Sequence, residues 1–185
     1  MQTALHKKLY EQAQVAMDRA YSPYSQYNVG VALQTVDGKM FIGCNVENVS
    51  YGLTLCGERN AITSMVATCG DIKIADIMIV VSGEGFPSPC GACRQVLAEF
   101  SIPETQIHLA RTKENGDGFE MRTYRMAALL PLSFTQQILW APNTDPKKYD
   151  SEKQASDVVH DSYTEKLPEH EVAYAEKPVK GKQAK

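Results

Sequence analysis

Two short segments carry residues whose types and spacing suit metal chemistry. Cys56-Gly57-Glu58-Arg59 sets a carboxylate two positions after a thiol, and Pro89-Cys90-Gly91-Ala92-Cys93-Arg94 contains a C-x-x-C pair. Taken alone, the C-x-x-C pair reads as a redox dithiol, a buried pair or part of a metal site. Cys56 supplies a third thiol. Three thiolates on one zinc ion leave a fourth tetrahedral position for water, the design of a catalytic site, whereas structural zinc sites fill all four. Glu58 suits proton transfer to and from that water. Its plainer role would be a first-turn glutamate that stabilises a helix dipole.

These residues need elements that bring them together. Cys56 and the Cys90/Cys93 pair each stand at the start of a predicted helix, over Cys56–Cys69 and Gly91–Phe100. Helix N-termini favour thiolate over thiol through their exposed N–H groups and dipole. Three thiolates and Zn²⁺ carry a formal charge of about −1. Arg59, one turn from Cys56, and Arg94, beside Cys93, are both candidates to offset it by donating to sulfur. Cys44 and Cys69 have no ligand-spaced neighbour and read as small structural, buried thiols. His6, His108, His160 and His170 stand far from the motif and read as surface or core residues.

Around these helices the pattern predicts a leading amphipathic helix from Thr3 to about Ala20, capped by Thr3 and ended at Ser22-Pro23. Val29, Val31 and Leu33 alternate as a strand, Asp37-Gly38 marks a hairpin turn, and Met40–Asn45 returns. Ile77–Val81 is an apolar run typical of a strand buried on both faces. Gln106–Ala110 and Phe119–Tyr124 predict two more strands, with a turn at 115–118 between them and a short helix over Met126–Leu130. The order implies an α/β fold with a mixed sheet between helical layers. Composition shifts near Ala141 toward Lys, Glu, Asp, Pro and Ser, so the expected division is a 1–140 catalytic domain and a charged, disordered 141–185 tail.

The 185 residues are 43% hydrophobic with a net charge of −3, which suits one globular domain and gives no general attraction to nucleic acid or anionic membrane. No apolar run reaches the roughly 20 residues of a membrane span, and the N-terminus lacks a signal-peptide core. Five cysteines, an odd number, argue against a disulfide framework. The expected location is the cytoplasm, with no nucleic-acid or membrane partner.

The chain resembles the cytidine deaminase family over roughly residues 5–135. The resemblance rests on Ser22-Pro23-Tyr24-Ser25, Gly43-Cys44-Asn45-Val46-Glu47-Asn48, the two cysteine segments, Gln95-Val96-Leu97, Leu129-Leu130-Pro131 and Phe134. It implies a three-layer α/β/α cytidine-deaminase-like fold with a mixed five-stranded sheet. It also implies a homotetramer and zinc-dependent conversion of cytidine and 2′-deoxycytidine to the uridine forms. By the same resemblance Cys56, Cys90 and Cys93 hold zinc, Glu58 is the proton shuttle, and Arg59 is the arginine beside sulfur. Asn45 and Glu47 match ribose-binding positions, and the Gly57 N–H matches a donor to the pyrimidine oxygen. Tyr27 and Phe134 match base-stacking aromatics, and Tyr51 matches a residue reaching a neighbouring subunit's site. Two positions depart from the family: Gly57, commonly Ala, and Tyr27, often Phe. The same zinc motif would serve a deaminase of another aminopyrimidine nucleoside, such as blasticidin S. A non-catalytic zinc module would need no Glu58, and a dithiol redox protein would bind no zinc.

Overall fold

A computed structural model describes residues 2–135, apart from 87, 115 and 117. The elements are α1 (Ala4–Met17), β1 (Val29–Thr35), β2 (Met40–Cys44), a 3-10 turn (Tyr51–Leu53), α2 (Gly57–Cys69), β3 (Ile74–Val81), α3 (Gly91–Phe100), β4 (Ser101–Thr112), β5 (Phe119–Arg125) and α4 (Met126–Leu129). The expected boundary at 140 and the 141–185 tail lie outside the described residues.

The strands form one mixed sheet in the order β2-β1-β3-β4-β5. All neighbours are antiparallel except β3 and β4, which run parallel and are joined by α3. The sheet is covered on both faces, so successive strand residues enter different cores. Val31, Leu33, Ile77, Ile79, Ile107 and Leu109 face one core with Ala61, Ile62 and Met65 of α2 and Leu97 of α3. Ala32, Met78, Val80 and Ala110 face the other, with Leu9, Tyr10 and Ala13 of α1. Each fully buried Leu or Ile stabilises the fold by about 1.5–3 kcal/mol.

Two glycines let the helices sit close. A Cβ on Gly30 of β1 would stand 2.0 Å from the Ala13 carbonyl oxygen of α1. One on Gly43 of β2 would stand 2.3 Å from the Ala61 nitrogen of α2. Backbone-to-backbone seats of this kind admit no side chain.

Several boundaries differ from the sequence expectation. Helix α1 ends at Met17 rather than near Ala20. The chain leaves it early because Tyr21 pairs with the segment after β2, its N–H donating to the Asn45 carbonyl at 3.0 Å. Strand β3 begins at Ile74, before the apolar run, because Ile74 and Asp76 pair with Thr35 and Gln34 of β1. Strand β4 spans Ser101–Thr112, well beyond Gln106–Ala110. Thr105 holds its irregular start, since its hydroxyl donates to the Ile74 carbonyl at 2.6 Å and accepts from the Ile102 N–H at 2.8 Å. Cys44 and Cys69 are only partly buried, so the fully buried thiol among the five is Cys93, not either of them. No helix among the described residues is long and apolar enough to cross a membrane.

Candidate active site and metal centre

The hairpin β1–β2 and the strand β3 fix where α2 and α3 begin. Cys56 is the N-cap of α2 in extended conformation, and its side chain makes no cap hydrogen bond. The sulfur therefore accepts none of the first-turn N–H groups of its own helix. Cys90 is the N-cap of α3, and its sulfur accepts the Cys93 backbone N–H at 3.4 Å. Cys93 lies one turn in, fully buried.

The two helix starts meet. Cys56 Sγ and Cys90 Sγ are 3.9 Å apart, and the three sulfurs of Cys56, Cys90 and Cys93 all lie within 4.8 Å of one another. Tetrahedral zinc with Zn–S near 2.3 Å sets its sulfurs about 3.8 Å apart, so the donors already stand near metal-binding spacing. The cluster contains three protein ligands among the described residues. Soft thiolates of that number suit zinc and leave one position for water.

The thiols share protons unequally. Cys56 is pulled down to about 5, chiefly by the Cys93 thiol donating to it, with Arg59 and Cys90 assisting. Cys93 is pushed up by holding that shared proton, and by burial. Arg59 Nη2 lies 3.8 Å from Cys56 Sγ and donates to the Thr54 carbonyl at 3.0 Å. Arg94 is engaged elsewhere, donating to the carbonyls of Pro89 and Leu129 and to the Ser88 hydroxyl. Of the two arginines, Arg59 is the one beside sulfur, and Arg94 braces the loop before α3 against α4.

Glu58 is 5% exposed in the first turn of α2. Burial raises its carboxyl above the ordinary range, and the Cys56 thiolate adds to the rise. A carboxyl displaced toward neutrality can both accept and return a proton. Gly57, beside it, packs under Val31 and Cys44. A Cβ there would meet Val31 Cγ2 at 3.0 Å and the Cys44 carbonyl carbon at 3.3 Å.

Asn45 is buried at the end of β2, where Oδ1 accepts the Val29 N–H and Nδ2 donates to the Tyr27 carbonyl, both at 2.8 Å. Glu47 accepts the N–H groups of Tyr24 and Ser25 and the Ser25 hydroxyl. The Ser25 hydroxyl, first, and these N–H groups hold its carboxyl below its usual value. Both side chains thus frame the 22–28 turn, a role that spacing alone did not reveal. Tyr27 is exposed, with its ring against Gly83. Phe134 is exposed but tied to α3, its carbonyl accepting from Gln95 Nε2 at 2.8 Å. Tyr51 is 73% exposed, edge-on to Tyr24. Sequence reasoning missed Asn60, whose Nδ2 donates to the Cys44 carbonyl at 2.8 Å and ties α2 to the end of β2. An amide one turn after Cys56 was the available signal.

Three cysteine donors with a buried glutamate at the start of the first helix match the pattern of zinc-dependent nucleobase deaminases. Residues 3–109 match the family model for the cytidine and deoxycytidylate deaminase zinc-binding region, and the chain belongs to that family. It is 39% identical over 133 residues to the cytidine deaminase of Sporosarcina psychrophila, covering 72% of this chain and 93% of that protein. Among solved structures, the cytidine deaminase from Burkholderia pseudomallei aligns with a TM-score of 0.63 at 42% identity, covering 70% of this chain and 98% of that one. The Mycobacterium tuberculosis cytidine deaminase aligns with a TM-score of 0.59 at 36% identity, covering 72% and 98%.

Proposed function

We propose that the protein hydrolyses cytidine and 2′-deoxycytidine to uridine and 2′-deoxyuridine with release of ammonia. The observation that carries this reading is the buried Glu58 beside three converging thiols. Zinc held by Cys56, Cys90 and Cys93 would supply a water activated at neutral pH for attack on C4 of the base. The Glu58 carboxylate takes the water proton and delivers it to ring N3. It takes the remaining hydroxyl proton and protonates the departing amine, ending unchanged. Its raised affinity for protons suits both halves of that cycle. Arg59 offsets the excess negative charge of three thiolates by standing against Cys56.

The Gly57 N–H, at the uncapped start of α2, binds the pyrimidine carbonyl oxygen. Glu47 has used three of its roughly four acceptor positions and keeps one for a ribose hydroxyl, and Asn45 keeps a second Nδ2 hydrogen. Tyr27 and Phe134 flank the base. The exposed apolar side chains Val46, Val49, Tyr51, Leu53 and Leu55, directly before Cys56, supply the surface on which copies meet as a homotetramer, with Tyr51 reaching the neighbour's site. Free thiols at a metal centre suit the reducing cytoplasm. Residues 1–140 suffice for activity, since both cores and every site residue fall within 2–135.

The test is a substrate panel on zinc-loaded protein, with ammonia release as readout. Turnover of cytidine and deoxycytidine supports the reading. Turnover of blasticidin S alone would move the assignment to another aminopyrimidine nucleoside.

A further inference from the structure

On the sheet face opposite the thiols, three side chains from three elements converge. Asp76 of β3 and His108 of β4 share the α1-facing side with Met78 and Ala110, and His6 lies in the first turn of α1 above them. His108 is fully buried, and the Asp76 side chain is 18% exposed. One ligand atom from each of His6, Asp76 and His108 lies within 4.8 Å of the others. The two imidazole rings meet edge-on at 4.7 Å between centroids. This cluster belongs to neither apolar core, and deaminase chemistry makes no use of it.

We propose that His6, Asp76 and His108 form a second cation site, for a first-row divalent ion such as Zn²⁺ or Co²⁺, that clasps the first turn of α1 to β3 and β4. Donors about 2.1 Å from one ion stand about 3.0–3.4 Å apart. His108 Nε2 and Asp76 Oδ1, at 3.1 Å, already meet that spacing. The other ring nitrogen of His108 lies 2.8 Å from the Thr123 hydroxyl oxygen. Donation from Nδ1–H to that hydroxyl leaves the Nε2 lone pair facing the carboxylate, the orientation a metal-ligating histidine needs. In the other tautomer Nε2–H donates to Asp76 and Nδ1 accepts from the Thr123 hydroxyl, and a cation takes the place of that Nε2 proton.

His6 supplies the third donor from a partly exposed side chain that can close on the ion. Its Nδ1 now accepts the Thr3 N–H at 3.2 Å. A cation at Nδ1 displaces that bond, and one at Nε2 requires the tautomer with the proton on Nδ1, so either costs one exposed, long hydrogen bond. The other arm of the cap, from the His6 N–H to the Thr3 hydroxyl, is untouched. Two imidazoles and a carboxylate suit zinc, cobalt or nickel rather than magnesium or calcium. The thiol cluster, softer and with more anionic donors, fills first.

The test uses the full chain loaded with zinc, dialysed against a micromolar excess of Co²⁺ and analysed for both metals. The expected result is one zinc and one cobalt per chain, and a melting temperature raised by Co²⁺. At a hundredfold excess over Kd the folded-to-unfolded ratio rises about 100-fold. His6→Gln removes the donor but keeps a Thr-x-x-Gln capping box, so α1 retains its start. This variant is expected to keep its zinc and its deaminase rate while losing both the cobalt and the shift. Wild type taking up no cobalt beyond its zinc would overturn the proposal. So would equal uptake by His6→Gln, which leaves His160 and His170 intact and would place the ion elsewhere. Wild type that takes up the cobalt but deaminates no cytidine would count against the catalytic assignment alone.

Discussion

The two faces of the sheet are covered by helices that begin in opposite ways. Helix α1 closes its own start: Thr3 and His6 exchange hydrogen bonds, and its buried residues Leu9, Tyr10, Ala13 and Ala16 seat it along its length. Helix α2 begins on a cysteine whose side chain caps nothing, and α3 on a cysteine whose sulfur accepts the Cys93 N–H and faces Cys56. Both layers rest on a glycine saddle, Gly30 under α1 and Gly43 under α2. The packing problem is solved identically, while the helix ends differ. At α1 the exchanged cap bonds secure the helix start itself, whereas at α2 and α3 the cap cysteines converge on one another across two helices.

The sharpest way to break that contrast is to remove a sulfur from the open ends. Cys93→Ala is expected to lose its zinc and to lower deamination by more than about 1,000-fold. Metal analysis beside an activity assay checks both. Next come the two saddles. Gly30→Ala and Gly43→Ala each force a Cβ into backbone and are expected to cost about 3 kcal/mol, read by urea denaturation. Only Gly43→Ala should also lower kcat of the folded fraction, because it shifts the helix that carries Glu58. Equal effects on kcat would mean that the α1 face is coupled to the site.

Smaller effects sharpen the picture. Arg59→Ala is expected to weaken zinc retention about 10- to 100-fold, measured by chelator competition. The smallest concerns Glu47. Its folded-state carboxyl is held below the ordinary value by the Ser25 hydroxyl and the Tyr24 and Ser25 N–H groups. A group depressed in this way stabilises the fold above its unfolded value, and that contribution is lost as pH falls through the folded one. The melting temperature of wild type should therefore exceed that of Glu47→Gln at neutral pH, and the two should converge in acid.

The chemistry was legible in the sequence because it is local. Cys56 and Glu58 stand two residues apart at a helix start, as Cys90 and Cys93 stand one turn apart. Spacing of that kind survives without knowledge of the fold. The every-second spacing of Val29, Val31 and Leu33 likewise marked a strand before any sheet was seen. What stayed hidden depends on register. Tyr21 pairs with the segment after β2 and shortens α1. Asn45 spends an oxygen and a nitrogen of its amide on the backbone of the 27–29 stretch. Asp76 and His108 become diagonal neighbours only through the parallel pairing of β3 with β4. No local pattern encodes such meetings, because each requires two strands to have found one alignment.

The central claim is that Glu58 moves protons beside a metal it does not hold. Glutamine at this position keeps the size and removes the titrating oxygen. Wild type and Glu58→Gln should be compared for loss of cytidine absorbance, with zinc measured in each. The account predicts one zinc per site in both proteins and a rate lower by about 10²- to 10⁴-fold in the variant. Undiminished turnover in zinc-replete Glu58→Gln, or loss of the zinc along with the rate, would contradict it.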